Sequence, residues 1–440
     1  MIKKDATLFD ELAHRAIKKT NRLYFSIYKL LMLDFVSHKY HMHIKKIDDI
    51  SKEQGPAIIV FNHLSRIDHA YVLAASWPRQ FNMMAGYNEF FRSHLAQVFK
   101  MNNCIPKKNY YPDVQSIKTT AKILKEGGVV SLAPEGLASN DGGNKPVVPG
   151  TGKMLKHFKV PVYFVHMEGE YLQNTKVNLE ERYGETYATI SKIFTPDDLE
   201  HLTSDDIDNK LNELFRHDEY AWNKEHHIKW QTYGHICEHL EDLLYKCPKC
   251  GQEFTLKGTG NQFQCSCGNG ATMDDYYTWH PFNKDCVIPK SPKAWNDWQR
   301  QELIKDIRQD KDYSFTEEVE IGNLDPYQLI KDQKTSNIVG QGKMIINHQG
   351  FYYQGTRHNE PYSFTLPWSD LYSAITVKDA SYFSFYVKGE YYDFFPKTHS
   401  VGKILLLIEE MHRYHINFYK NFSWYDYMYE GLECGIDLKK

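Results

Sequence analysis

No apolar run in this 440-residue chain is long enough to cross a bilayer, which needs about 20 residues. The most apolar early stretch, Leu23 to Val36, is short and carries Lys29 and Asp34. A mean hydropathy of −0.58 excludes a polytopic membrane protein. Charge of one sign is also lacking. The formal net charge of −3 argues against bulk coating of nucleic acid and against an acidic tail. The first residues, Met1-Ile2-Lys3-Lys4-Asp5, lead into no apolar core with a small-residue cleavage site, so no secretory signal is expected. Cysteine is sparse, at 8 residues, and without such a signal the thiols are expected reduced, in the cytoplasm. No internal repeat and no low-complexity tract is found.

Aromatic residues are plentiful at 14%, with 31 Tyr and 24 Phe, a share that suits strand-rich domains or interfacial surfaces. The length predicts two to four domains, each able to bury its own core. Leu23, Ile27 and Leu30, with Tyr24, Tyr28, Leu31 and Phe35, recur three or four apart and predict a helix with a wide apolar face. Such a helix either lies in a membrane interface or packs on the domain core.

From about residue 40 to 200, strand candidates Ala57–Phe61, Val129–Ala133 and Val160–Val165 alternate with helical stretches such as 113–125, which stops at Gly127-Gly128. That rhythm predicts an α/β domain with a mixed or parallel sheet flanked by helices. Residues 201–245 read as helical and charged. Trp295–Ile307 reads as one helix. Residues 313–321 and then 343–395 alternate with period two, broken at His348-Gln349-Gly350, Arg357-His358-Asn359 and Lys388-Gly389-Glu390. The pattern predicts an antiparallel meander closed by an amphipathic helix, Val401–Tyr414.

Two strand ends carry chemistry. After Ala57–Phe61 come Asn62-His63-Leu64-Ser65-Arg66-Ile67-Asp68, and after Val129–Ala133 come Pro134-Glu135-Gly136-Leu137-Ala138-Ser139. The carboxyl ends of parallel strands are where α/β folds keep their reactive groups. A histidine oriented by a carboxylate is a general base poised near neutral pH. Gly150-Thr151-Gly152-Lys153-Met154 does not read as a phosphate loop, because the first glycine and the final Ser or Thr are missing.

These segments resemble the glycerolipid acyltransferase family, typified by 1-acylglycerol-3-phosphate acyltransferases. Asn62, His63 and Asp68 match its Asn-His-x4-Asp block, with Ser65 inside it. Cys104-Ile105-Pro106-Lys107-Lys108 occupies the place of the second block. Pro134, Glu135, Gly136 and Ser139 match the third in part, and Val160-Pro161-Val162 the fourth. The resemblance implies transfer of a fatty acyl group from acyl-CoA or acyl carrier protein to a lysophospholipid hydroxyl in phospholipid biosynthesis. Lysophosphatidic acid is the leading acceptor. His63 is the implied base and Asp68 its orienting carboxylate. Asn62, Ser65, Arg66, Lys107, Lys108, Glu135 and Gly136 are implied around the substrate, with backbone N–H groups near Gly136 as candidate oxyanion donors. One departure stands out: Leu137-Ala138 replaces the family's Thr-Arg, and alanine cannot bond a phosphate as a guanidinium does. Either Lys107, Lys108 or Arg66 supplies that charge, or the acceptor is another lipid. A non-enzymatic lipid-binding protein on the same fold is the further alternative.

Cys247-Pro248-Lys249-Cys250 and Cys265-Ser266-Cys267-Gly268 are separated by 14 residues. They read as a closed structural zinc site formed by Cys247, Cys250, Cys265 and Cys267, with Cys286 or His280 as possible substitutes, against an unmetallated hairpin. Cys104, Cys237 and Cys434 read as packed or exposed thiols. The absence of a basic stretch around 245–275 argues against nucleic acid as a partner. The meander with its closing helix resembles a pleckstrin-homology or GRAM-type barrel. The expected division is 1–235 for an acyltransferase-like domain led by its amphipathic helix, 236–285 for a zinc ribbon and 286–440 for the β domain. The expected place is the cytoplasmic face of a membrane, bound peripherally through the amphipathic helix.

Overall fold

The computed structural model describes residues 12, 15–91, 93–324, 336–376 and 380–416. Cys434 lies outside them. The main helices, numbered in chain order, are α1 (Arg22–Lys39), α2 (Asp68–Ser76), α3 (Val114–Lys125), α4 (Thr151–Phe158), α5 (Pro292–Gln309) and α6 (Val401–His415).

The first sheet comprises β1 (Met42–Lys46), β2 (Ala57–Phe61), β3 (Asn82–Gly86), β4 (Ile105–Lys107), β5 (Val129–Leu132), β6 (Val162–Glu168) and β7 (Thr186–Phe194), in the order β1-β7-β6-β2-β5-β3-β4. Only the β6–β7 pair is antiparallel. β2 lies parallel between β5 and β6, and every residue of Ala57–Phe61 is buried. Burial on both faces explains why the strand reads as an unbroken apolar run rather than an alternating one. Ile59 and Phe61 face a core with Tyr163 and Val165, while Ile58 and Val60 face another with Val130, Leu132 and Phe164. α3 begins where Asp113 accepts the Ser116 N–H and ends before Gly127, whose φ is +74°. The stop was legible in the sequence.

The stretch 201–245 is only partly helical. Helices cover Pro196–His201, Ser204–Leu214 and Glu219–His226, and His227 then turns left-handed at φ 53°. Beyond it the backbone bonds to distant partners: Trp230 donates to the Asp275 carbonyl and Gln231 to that of Tyr183. At these two residues tertiary hydrogen bonds take the place of the helical ladder, and the backbone then runs through local turns to a short 3-10 turn at Leu240–Asp242.

The cysteine segment folds into four antiparallel strands, β8 (Leu256–Thr259), β9 (Gln262–Cys265), β10 (Gly270–Met273) and β11 (Trp279–Pro281). Cys237, Leu244, Cys247, Phe263 and Trp295 belong to the same buried cluster as Ile59 and Tyr71, so this segment shares a core with the first sheet.

The last sheet runs β12 (Ser314–Asn323), β13 (Asn337–Asn347), β14 (Gly350–Arg357), β15 (Glu360–Leu366), β16 (Ile375–Thr376), β17 (Phe383–Val387) and β18 (Glu390–Pro396), in the order β15-β14-β13-β12-β18-β17-β16. All its pairs are antiparallel. Among the described residues no ladder joins β15 to β16, so the sheet is open rather than a closed barrel. His358-Asn359 and Lys388-Gly389 have positive φ at both central residues, the mirror-image turn that matches strand twist. β13 starts at Asn337, six residues before the alternation becomes visible at Lys343, because Gly340 and Gly342 interrupt the pattern. α6 buries Ile404, Leu407, Ile408 and Met411 in the cluster containing Phe351, Phe383 and Phe394.

Candidate active site

His63 follows β2 directly, and Asp68 opens α2. The His63 Nδ1 is hydrogen-bonded to Asp68 Oδ2. The other carboxylate oxygen, Oδ1, accepts the Ser65 N–H at 2.8 Å. Asp68 thus closes the turn and aims the imidazole at once. Its side chain is 5% exposed, whereas that of His63 is 30% exposed. With Nδ1 held by the carboxylate, Nε2 is the nitrogen left to take a proton.

The backbone of His63 is held from the other side. Its N–H donates to Glu135 Oε2 at 2.7 Å, and its carbonyl accepts the Ser139 N–H at 2.8 Å. Glu135 Oε1 accepts the Lys145 N–H, also at 2.7 Å. The loop 135–145 therefore fixes His63 through peptide groups, with Glu135 as the clamp. Burial raises the Glu135 carboxyl to about 8, against the pull of these two N–H groups. Gly136 sits at φ +76°, a conformation that costs glycine nothing. Its N–H donates to the Ala133 carbonyl and is therefore already committed. Asn62 points into the sheet: its Nδ2 donates to the Met167 carbonyl and its Oδ1 accepts the Met167 N–H, both at 2.8 Å. It locks β2 to β6 just before the histidine.

Ser65 Oγ donates to Glu170 Oε1 at 2.8 Å and accepts the Ile67 N–H. Glu170 is fully buried, and burial together with the nearby Asp68 charge raises its carboxyl well above the usual range. Sequence reasoning missed Glu170. Its signal was the polar run Glu168-Gly169-Glu170 at the end of β6, the strand beside β2.

The basic candidates are occupied to different degrees. Arg66 is exposed and donates to Asn174 Oδ1 at 2.8 Å and to the Leu179 carbonyl at 3.3 Å. The Lys107 Nζ lies 3.9 Å from Asp113 Oδ2, and burial lowers its pKa. The Lys108 ammonium sits over three rings, 5.4 Å from Tyr87, 5.8 Å from Tyr111 and 5.9 Å from Tyr386. Tyr386 belongs to β17, so the last sheet reaches this place.

Leu137 and Ala138 are 5% and 7% exposed. Leu137 packs in one cluster with Ile375, Tyr386, Tyr391 and Phe395 of the last sheet and with Tyr382, just before β17. Around it, Thr376 Oγ1 donates to Asn140 Oδ1 at 3.0 Å, and Tyr110 packs edge-on to Tyr372 at 5.1 Å. Tyr110 also donates to the Glu135 carbonyl at 3.2 Å. Lys145 pairs with Glu409 of α6 at 3.0 Å, and Glu409 meets Arg300 of α5 at 2.8 Å. Burial opposes ionisation of Glu409, yet the two cations hold its carboxyl at about 2. Leu137, one of the two residues in place of the family's Thr-Arg, is thus covered by the C-terminal sheet, and Ala138 beside it is buried.

Away from this cleft, the sulfurs of Cys247, Cys250, Cys265 and Cys267 all lie within 4.8 Å of one another. Cys286 Sγ faces the Gly268 carbonyl and Asn283, and His280 Nε2 pairs with Asp274 at 2.7 Å, so neither joins the group. Two other trios, His166-Glu168-His217 and Glu180-His235-Glu238, are also close. His217 pairs with Glu219, outside its trio, at 2.5 Å, and His235 pairs with Glu238, within its own, at 2.7 Å.

Residues 41–168 match the family model described as Acyltransferase. The matched segment includes His63, Asp68, Glu135 and β2 to β6, so the site described above lies within the part of the chain that is similar to this family. Among solved structures, the 1-acyl-sn-glycerophosphate (LPA) acyltransferase PlsC from Thermotoga maritima is similar at 17% identity. The match covers 44% of this chain and 74% of that one, with a TM-score of 0.36. No curated protein matches the chain.

Proposed function

We propose that this protein transfers a fatty acyl group from a thioester, on CoA or acyl carrier protein, to the hydroxyl of a lysophospholipid at a membrane surface, with lysophosphatidic acid as the acceptor. The observation that carries the reading is the His63–Asp68 pair at the carboxyl end of β2, inside the acyltransferase-family segment. Alcohols are poor nucleophiles at neutral pH and must lose a proton as they attack. His63 Nε2 takes that proton while Asp68 holds the tautomer and steadies the imidazolium. The alkoxide attacks the thioester carbonyl, the tetrahedral intermediate expels the thiolate, and the imidazolium returns the proton to the sulfur. No enzyme nucleophile is needed.

Membrane attachment through α1 is supported by its surface. Leu23, Ile27 and Leu30 are 65%, 39% and 62% exposed. At about 100° per residue they fall within one narrow stripe. Phe25, on the opposite side, is 2% exposed and packs on Trp77 and Phe81. One face holds the helix to the domain, and the other offers apolar side chains to an interface. Among the described residues no helix is long and apolar enough to cross a membrane.

Burial of Leu137 and Ala138 favours a second reading, in which the same chemistry serves an acceptor without a phosphate monoester. For the C-terminal sheet, seven antiparallel strands followed by one closing helix support a pleckstrin-homology or GRAM-like module. The test measures thiol release from acyl-CoA by wild type and His63→Ala, with lysophosphatidic acid, a zwitterionic lysophospholipid and a neutral lipid alcohol as acceptors. Wild type alone should release thiol, fastest with lysophosphatidic acid. Equal release by both proteins would sink the catalytic assignment, and a preference for the neutral acceptor would select the second reading.

A further inference from the structure

We propose that Cys247, Cys250, Cys265 and Cys267 bind one structural zinc ion, and that this ion holds the C-terminal half of the chain against the loop that clamps His63. The sulfur geometry carries the first half. Cys247 and Cys267 are 3.8 Å apart, and so are Cys250 and Cys265. These are opposite edges of the four-sulfur group. A tetrahedron with zinc–sulfur bonds of about 2.3 Å has edges of about 3.8 Å. A disulfide needs about 2.05 Å, so the sulfurs are spaced for a shared ion rather than for oxidation.

The backbone is shaped to match. Gly251 and Gly268 follow the second cysteine of each pair, with φ of +73° and +85°. Their N–H groups donate to the carbonyls of Cys247 at 2.9 Å and Cys265 at 3.0 Å. The sulfurs also receive donors: Asn269 Nδ2 reaches Cys247 Sγ at 3.6 Å and the Cys267 N–H reaches Cys265 Sγ at 3.5 Å. Outer bonds of this kind orient metal ligands. Four thiolates leave no open position, so the ion is structural.

The second half rests on what flanks the cysteines. Just before Cys247, the Lys246 carbonyl accepts Trp295 Nε1 at 2.9 Å, and Gln299 bonds both the Tyr245 N–H and the Leu243 carbonyl. These residues pin the segment to α5. Between the cysteine pairs, Glu253 meets Lys403 of α6 at 2.6 Å. α5 in turn reaches the loop: Asn296 Nδ2 donates to Asp141 Oδ2 at 2.7 Å, and Arg300 shares Glu409 with Lys145, whose N–H holds Glu135. The metal site and the clamp are therefore joined through α5, directly at Asp141 and by way of Glu409 of α6 at Lys145.

The full-length protein, purified with its thiols reduced, tests both halves. Elemental analysis should find close to one zinc per chain. Cobalt substitution should give the intense absorption of a tetrahedral tetrathiolate. The double variant Cys250→Ser, Cys267→Ser alters the two exposed ligands and should lose the metal, whereas Cys286→Ser should keep it. A wild-type protein that neither contains nor takes up zinc overturns the site, as does full retention by the double variant. Hydrogen exchange of wild type before and after chelation, then after zinc is restored, tests the coupling. Exchange in 135–145 should rise on removal and fall back on restoration. Unchanged exchange there, with the metal gone, overturns the coupling.

Discussion

Glu135 and His63 are bound through the histidine's peptide rather than its ring: the Glu135 Oε2 accepts the His63 N–H at 2.7 Å. Asp68 takes the imidazole, Glu135 takes the backbone, and the base is fixed from two directions. That division of labour separates the effects of substituting the two carboxylates.

Asp68→Asn should leave the fold intact and lower the chemical rate by orders of magnitude. The amide preserves shape but removes the charge that orients His63 and stabilises its cation, a change worth on the order of 10⁴-fold in a related arrangement. Steady-state acyl transfer beside a circular dichroism melt checks it. A loss under tenfold in a folded variant would remove Asp68 from the mechanism.

Glu135 should give the protein a pH-dependent stability. Its folded pKa, about 8 through burial, stands above the ordinary carboxylate value. The folded state therefore binds the proton more tightly than the unfolded one. That contribution is complete below the unfolded pKa of roughly 4.3 and is lost as pH rises toward 8. Glu135→Gln should flatten the decline of melting temperature across this window, at the cost of one backbone N–H left poorly paired, about 1–3 kcal/mol. Parallel slopes for the two proteins would contradict the assignment.

Leu137→Ala should destabilise the protein by about 2–5 kcal/mol, the usual range for a buried leucine, because it opens a cavity in the aromatic cluster shared with β17 and β18. Ala138→Arg, which writes back the family's arginine, should lower the melting temperature without raising activity on lysophosphatidic acid. The position is buried, and a guanidinium there has to be taken out of water. A stable variant with increased phosphate-acceptor activity would show that the covered position still faces the acceptor.

Leu23→Asp with Leu30→Asp should weaken sedimentation with anionic vesicles several-fold while changing stability by no more than about 0.5 kcal/mol, since both side chains are exposed. Phe25→Asp serves as the contrast: that residue is buried, so it should unfold the helix from the domain rather than report on lipid.

The sequence by itself determined the local parts. Ala57–Phe61 had to be a buried strand because five consecutive apolar residues, three of them β-branched, leave no polar face. The cap at Asp113, the stop at Gly127 and the hairpin turns at 358–359 and 388–389 are written in residues whose backbone preferences act within a few positions. His63 and Asp68 were legible for the same reason, since one turn brings them together. The long-range relations needed the tertiary structure. Glu170 under Ser65, Lys145 on Glu135 and the C-terminal sheet over Leu137 join residues from about 10 to 250 positions apart. No local periodicity encodes such pairs; they exist because parallel strands gather their carboxyl ends and because apolar faces must cover one another. The same logic explains the departure at Leu137-Ala138. In the sequence it is a missing charge, and in the fold it is a contact surface.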